Sequence, residues 1–187
     1  PSVSDSTGLK TQSVKIWSDQ SINQKSDAIA EEVPIALVYN DVSHAVMMGT
    51  PTDLEAFAIG FSLSEGIIGK KDDIYDIKCA SGLDGVEVSL TISNQRFAEL
   101  KERRRSLTGR TGCGICGSES LQQVRLKAKP VTNHFDISHE AVNQAVEQLS
   151  NKQPLQNSTG AVHGAAWCNN RGDIVEICED VGRHNAL

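Results

Sequence analysis

Two short apolar runs around a turn signal, followed at once by a helix-spaced pattern, restrict this chain more than any other feature. Pro34-Ile35-Ala36-Leu37-Val38-Tyr39 stops at Asn40-Asp41, and His44-Ala45-Val46-Met47-Met48 follows. Runs of that length on either side of Asn-Asp read as a β hairpin. Directly afterwards Thr52 and Glu55 stand three residues apart, the spacing of a capping box. Leu54, Phe57, Ala58 and Phe61 then recur at i, i+3, i+4 and i+7, one buried helix face, and Gly66 is placed to end that helix.

The same alternation continues. Ile74 to Cys79 and Val86 to Ile92 read as two strands around Ser81-Gly82-Leu83-Asp84-Gly85. Asn94 to Gly112 reads as a long polar connection, and a second helix is expected from near Ser118 to just before Pro130. Ser138 is placed to cap a third helix with an apolar stripe of Ala141, Val142, Ala145, Val146 and Leu149. Asn151 to Ser158 reads as loop. Ala161 to Cys168 and Ile174 to Cys178 form a further hairpin around Asn169-Asn170-Arg171-Gly172-Asp173. Residues 1–33 are a polar N-terminal segment in which Val14, Ile16 and Trp17 can make one edge strand. Strand pairs alternating with helices predict an α/β (mixed α+β) layered domain.

Composition excludes several function classes. The formal charge of −6 argues against a general nucleic-acid binder, which carries a basic balance. No apolar run reaches membrane-spanning length, and Pro1-Ser2-Val3-Ser4 has neither the basic flank nor the apolar centre of a signal peptide. A cytoplasmic chain with no membrane association is therefore expected. The cysteines, Cys79, Cys113, Cys116, Cys168 and Cys178, are odd in number, and one pair alone is close in sequence. That is no disulfide framework.

The close pair sits in Thr111-Gly112-Cys113-Gly114-Ile115-Cys116-Gly117. Glycines on every side leave little bulk, so the backbone can turn sharply and both sulfurs can stand clear of a core. Cys116 precedes the helix expected at Ser118, whose positive dipole end favours a thiolate. Lys101, Arg103, Arg104, Arg105 and Arg110 precede the pair against Glu102 alone. Cations near a thiol lower its pKa and attract anions. This pattern suggests a nucleophilic thiolate handling an anionic partner, although an arginine run by itself is also an ordinary solvated surface. A small zinc-binding module needs two more ligands, from Cys168, Cys178 or a histidine, and there is no second C-x-x-C. A dithiol switch of the thioredoxin kind belongs in a βαβ pattern, which is not what surrounds this pair. Cys79, Cys168 and Cys178 read as small core residues, with Cys178 opposite His163 to Ala165.

Two further stretches concentrate functional side chains. Ser158 to Trp167 places His163 among very small residues, which let a ligand or another backbone approach. His163 can be an acid/base group, but spacing alone favours a packed histidine with one satisfied nitrogen. Glu176-Ile177-Cys178-Glu179-Asp180-Val181-Gly182-Arg183-His184-Asn185 gathers acids, Arg, His and Asn after a strand, a common ligand site in α/β folds. Asp180 can instead cap the next helix, leaving Arg183 and His184 in its exposed first turn.

Three segments in order, Gly109 to Gly117, Thr159 to Ala166 and Glu179 to Leu187, closely resemble the formate dehydrogenase accessory protein family, FdhD. The resemblance runs from about Pro34 to Leu187 and defines residues 34–187 as an FdhD-like domain. It implies a cytidine-deaminase-like fold, a mixed sheet flanked by helices. It implies a sulfurtransferase that takes sulfur from a cysteine desulfurase and passes it to the molybdenum (or tungsten) bis-guanine-dinucleotide cofactor, which formate dehydrogenase needs. In that reading Cys113 carries the persulfide and Cys116 assists or relays. His163, Asp180, Arg183 and His184 are the candidate cofactor-binding residues. No metal ligand is assigned, no cofactor is tightly held, and a homodimer is expected. Family members continue past Asn185-Ala186-Leu187, so the domain reads as incomplete at its C-terminus and part of the nucleotide site is expected beyond it. The alternative functions are a non-enzymatic cofactor-binding chaperone of the dehydrogenase and the zinc module. Deaminase chemistry does not carry over, because no histidine begins a His-x-Glu motif and Pro-Cys-x-x-Cys is missing.

Overall fold

The computed structural model describes residues 7–18, 20–107, 130, 132 and 134–187. The strands are β1 (Leu9–Ser18), β2 (Ser21–Ala30), β3 (Val33–Tyr39), β4 (Val42–Gly49), β5 (Ile74–Ser81), β6 (Val86–Ile92), β7 (His163–Cys168) and β8 (Ile174–Asp180). The helices are α1 (Leu54–Ser64), α2 (Asn94–Leu107), α3 (His139–Asn151), α4 (Pro154–Thr159) and α5 (Arg183–Ala186).

The core sits on a four-stranded sheet of order β4-β3-β6-β5. β3 runs antiparallel to β4 but parallel to β6, so the sheet is mixed, as the family resemblance implied. Side chains alternate across a pleat. Ile35, Leu37 and Tyr39 of β3 and Val86, Val88, Leu90 and Ile92 of β6 therefore share one face, and all are buried. Against them pack Leu54 and Ala58 of α1, Leu100 of α2, and Ile67 and Ile68. Each large apolar side chain removed from water here contributes roughly 1.5–3 kcal/mol. The fully buried Tyr39 hydroxyl meets Ser62 Oγ at 2.7 Å, and Ser62 Oγ donates to Ala58 O at 2.6 Å. Burial, which penalises the phenolate, pushes Tyr39 up to about 12. The opposite sheet face carries Pro34, Ala36, Val46 and Met48, and Val46 and Met48 are exposed.

Several expectations need correction. The stretch 94–107 is helix rather than polar connection. Few residues of α2 are apolar, but Phe97 and Leu100 lie one turn apart and pack on the core, and Ser93 Oγ accepts from Arg96 N at its start. Core contact outweighs a weak periodic signal. Residues 154–159 are a helix rather than loop: Pro154 opens it, and the Glu179 carboxylate accepts from Leu155 N and Gln156 N at 3.0 and 2.8 Å. The capping box at Thr52 does not form, because α1 is preceded by Asp53 at φ 49° and has no side-chain cap bond. Ser138 does cap its helix, accepting from Ala141 N at 3.1 Å, and of that helix's stripe only Ala141 is buried, with Val142 and Val146 exposed. The N-terminal segment holds a whole hairpin, β1 with β2, rather than one strand. The helix expected near Ser118 lies outside the described residues.

The third sheet is the β7–β8 hairpin, joined to the rest through α3, α4 and α5. Its register sets Ala165 opposite Cys178 and His163 opposite Asp180. Cys79, Cys168 and Cys178 are unpaired thiols and half-buried rather than fully buried. No helix among the described residues is long and apolar enough to cross a membrane.

Candidate functional site

A cleft of about 350 Å³ opens where the end of β8 meets the exposed side of α1. Phe57, Gly60, Phe61 and Ser64 of α1 form one wall, and Asp53 and Glu65 bracket that wall at either end of the helix. Cys178, Asp180, His184 and Asn185 form the other. Phe57 and Phe61 pack partly on the core and partly on the cleft, so α1 serves two surfaces.

Asp180 organises the second wall. It is buried, with 7% of its surface accessible. Its Oδ2 accepts from Thr50 N at 2.8 Å, and its Oδ1 accepts from Gly182 N at 2.7 Å and from Asn185 Nδ2 at 2.9 Å. Asn185 Nδ2 also donates to Met48 O at 2.9 Å, and Thr50 Oγ1 accepts from Val181 N at 3.1 Å. The motif after β8 is thereby fastened to the end of β4. Gly49 makes room for the contact: a Cβ there would lie 3.1 Å from Asn185 Nδ2 and 3.2 Å from Asp180 Oδ2. Both oxygens of Asp180 are held by protein donors, so its geometry is that of a group that positions the turn.

The other expected residues divide. His184 lines the cleft from α5. Arg183 precedes it on α5 and is exposed. His163 begins β7 opposite Asp180 and is exposed rather than packed. Asp180 and His184 thus share the cleft, with His163 and Arg183 on the adjoining surface. Cys113 and Cys116 lie outside the described residues, as does Arg110. Of the basic run, Lys101 is exposed, its Nζ 4.2 Å from the Phe97 ring centroid, and Arg103, Arg104 and Arg105 fall within α2. The basic run from Lys101 to Arg105 therefore belongs to a helix.

The small-residue stretch has a structural account. Gly160, at φ 64°, ends α4 with its N–H on Gln156 O at 2.7 Å. A Cβ on Gly164 would stand 2.3 Å from Nε2 of the buried Gln153, and Val162 N donates to Gln156 Oε1. The smallness of that stretch seats β7 against α4.

Sequence reasoning missed the α1 wall and Cys178. Phe57, Gly60, Phe61 and Ser64 stand at i, i+3, i+4 and i+7, a second stripe beside the one read as core. Cys178 reads as a small hydrophobe, yet it lines the cleft. Burial above all, and then Asp53 and Glu176, push its thiol up. Cys79 is likewise raised by burial and then by Glu55. Asp53, Glu65, Glu179 and Asp180 give the cleft an acidic lining, with His184 its basic side chain. Among the described residues no three His, Cys, Asp or Glu side chains group as a metal cage.

A sequence model of the FdhD/NarQ family matches residues 30–187. The chain is 50% identical over 177 residues to the sulfur carrier protein FdhD of Cupriavidus necator, covering 95% of this chain and 62% of that protein. It is 51% identical over 162 residues to the protein of the same name from Acinetobacter baylyi, covering 86% of this chain and 59% of the relative. It thus spans less than two thirds of the length of these relatives. The fold matches the crystal structure of a formate dehydrogenase accessory protein from Desulfotalea psychrophila, with a TM-score of 0.69 at 22% identity, over 96% of this chain and 65% of the other.

Proposed function

Because this chain belongs to the FdhD/NarQ family, we propose that it is a sulfurtransferase serving formate dehydrogenase. In this reading it accepts sulfur from a cysteine desulfurase on Cys113 and delivers it to the molybdenum (or tungsten) bis-guanine-dinucleotide cofactor. The observation that carries the reading is the cleft wall from Cys178 to Asn185. It is a chemically dense motif fastened by Asp180 to the main sheet, in a chain half identical to sulfur carriers.

The chemistry begins at a thiolate. Cys113 Sγ attacks the outer sulfur of the donor's persulfide; a new S–S bond forms, the donor's S–S bond breaks, and the donor cysteine leaves as thiolate. Glycines around Cys113 and Cys116 suit a segment that must carry the outer sulfur to a bulky acceptor, with Cys116 assisting or relaying. The cations that precede the pair in sequence favour the thiolate and draw the acceptor's phosphates. The acidic cleft suits the hydrogen-bond donors of a base better than phosphate, and the exposed Arg183 beside it suits phosphate. His184, inside, and His163, outside, join Arg183 in this reading as groups that touch the cofactor.

Incubation with a cysteine desulfurase and cysteine, followed by intact-protein and peptide mass spectrometry, tests this. The expected result is one added sulfur on Cys113. No added sulfur on either Cys113 or Cys116 refutes the transfer reading. Dehydrogenase activation that survives Cys113→Ala combined with Cys116→Ala shows instead a chaperone that binds the cofactor without handling sulfur.

A further inference from the structure

Gly60 stands in the middle of α1 with no reason internal to the protein. Glycine in a helix interior is destabilising relative to alanine, because it loses more backbone freedom on folding. The other described glycines within strands or helices, Gly49 and Gly164, each meet a neighbouring side chain that leaves no room for a Cβ. Gly60 meets nothing. Apart from the surrounding helix backbone and its two chain neighbours, no atom lies within 4 Å of where its Cβ would stand, and its backbone is not left-handed. The open space beside it is the cleft.

Neither wall of that cleft is free to give way. Leu54, Ala58 and Ser62 hold the far face of α1 in the core, and Ser62 Oγ is tied to Ala58 O at 2.6 Å and to the Tyr39 hydroxyl at 2.7 Å. Gly60 is two residues from both Ala58 and Ser62, so at about 100° per residue it faces away from that core. Across the cleft, Asp180 and Asn185 fasten the opposite wall to Thr50 and Met48. Close-packed structure yields little, so a methyl added at position 60 takes its volume out of the cleft.

A bare stretch of helix backbone suits a flat group. Phe57 and Phe61 flank Gly60 on the same wall, and Ser64 follows one turn later. A ring laid there packs against the two phenylalanines. Its N–H groups find acceptors in Asp53 and Glu65, at the two ends of the wall. Of the parts of a guanine-dinucleotide acceptor, the base matches this lining, whereas the phosphates are repelled by the acids.

We propose that Gly60 is a specificity-determining residue of the cleft: the guanine ring of the acceptor lies flat against the α1 backbone at Gly60, facing the Cys178–Asn185 wall. Position 60 keeps glycine although alanine would stabilise the helix. The inference rests on the reading of the acceptor as a guanine-dinucleotide cofactor, and it concerns where a base is held, not how sulfur moves.

Gly60→Ala should have two effects of opposite sign. The melting temperature of the unliganded chain should rise by roughly 2–4 °C, as for an exposed helical glycine replaced in a chain of this size. Isothermal titration with GDP as the probe should show binding at least tenfold weaker than in the unaltered chain. Gly60→Leu should show no binding, and both variants should still melt cooperatively. A GDP affinity untouched by Gly60→Ala overturns the proposal. So does a lower melting temperature, which shows glycine to be required by packing, and so does an unaltered chain that binds no GDP. Sulfur loading of Cys113 is read separately, on the unaltered chain. Loading combined with unchanged GDP affinity in Gly60→Ala overturns this inference and leaves sulfur transfer standing; weakened GDP binding in Gly60→Ala without any loading does the reverse.

Discussion

Removing the Asp180 carboxylate should damage the fold more than any other single change at the cleft. In Asp180→Ala three donors lose their acceptor: Thr50 N, Gly182 N and Asn185 Nδ2. Hydrogen bonds to a charged group contribute roughly 1.5–3 kcal/mol each, but donors that reach water recover most of that. Gly182 and Asn185 are half-buried and can be rehydrated, whereas Thr50 is 1% exposed and cannot. The loss should therefore be about 3 kcal/mol, one full buried desolvation penalty with a smaller remainder from the other two. For a chain of this size that lowers Tm by roughly 6–12 °C. Asp180→Asn should cost less, since Oδ1 can still serve Gly182 and Asn185 while its amide nitrogen faces the Thr50 N–H. Urea unfolding at constant m-value, alongside scanning calorimetry, measures both variants. A loss below about 1 kcal/mol for Asp180→Ala, or Asn worse than Ala, would falsify the view that this carboxylate holds the turn.

Four other outcomes follow from the same structure. The Tyr39 phenolate is disfavoured in the fold, so stability should fall as pH rises from about 10, the ordinary tyrosine value, through about 12; a tyrosinate titration in which Tyr39 ionises near the ordinary value contradicts this. Asp73 is held below the ordinary carboxylate range first by Gly69 N–H and further by Lys70 N–H and Arg96. Its contribution is present above the unfolded value and lost on acidification through the lower folded one, and amide exchange at Gly69 should rise in that window. Gly172→Ala should destabilise by more than about 2 kcal/mol, because φ is 85° and the new Cβ would lie 2.1 Å from Ala141 O; near-neutral urea unfolding counts against it. Cys79 and Cys178 should alkylate with iodoacetamide more slowly than free cysteine at mildly alkaline pH, as followed by mass spectrometry, since burial leads the causes that raise both thiols.

The fold was legible wherever apolar spacing was strong. The β3–β4 and β5–β6 hairpins, α1 and the β7–β8 hairpin all announce themselves by alternation, turn residues or a helical stripe. What escaped was set by tertiary contact. Only Phe97 and Leu100 betray α2, and α4 depends on the Glu179 carboxylate, twenty-three or more residues away in sequence. Of the candidate site, its gathering after β8 was visible, because acids, arginine, histidine and asparagine rarely crowd without reason. The division of labour was not. Composition cannot tell that Asp180 faces inward to Thr50 while His184 faces the cleft, nor that a second stripe on α1 would supply the opposite wall.

The bond between Thr50 N and Asp180 Oδ2 closes a loop of 130 residues. The entropy of such a closure grows only slowly with length, but contacts so distant in sequence form late. The cysteine pair, at 113 and 116, lies inside that loop. During synthesis the thiols leave the ribosome well before Asp180 can reach β4. The nascent chain thus carries both thiols out before the cleft wall from Cys178 to Asn185 has been made. Order of assembly, and not only final geometry, therefore decides which parts of this chain meet solvent before the cleft exists.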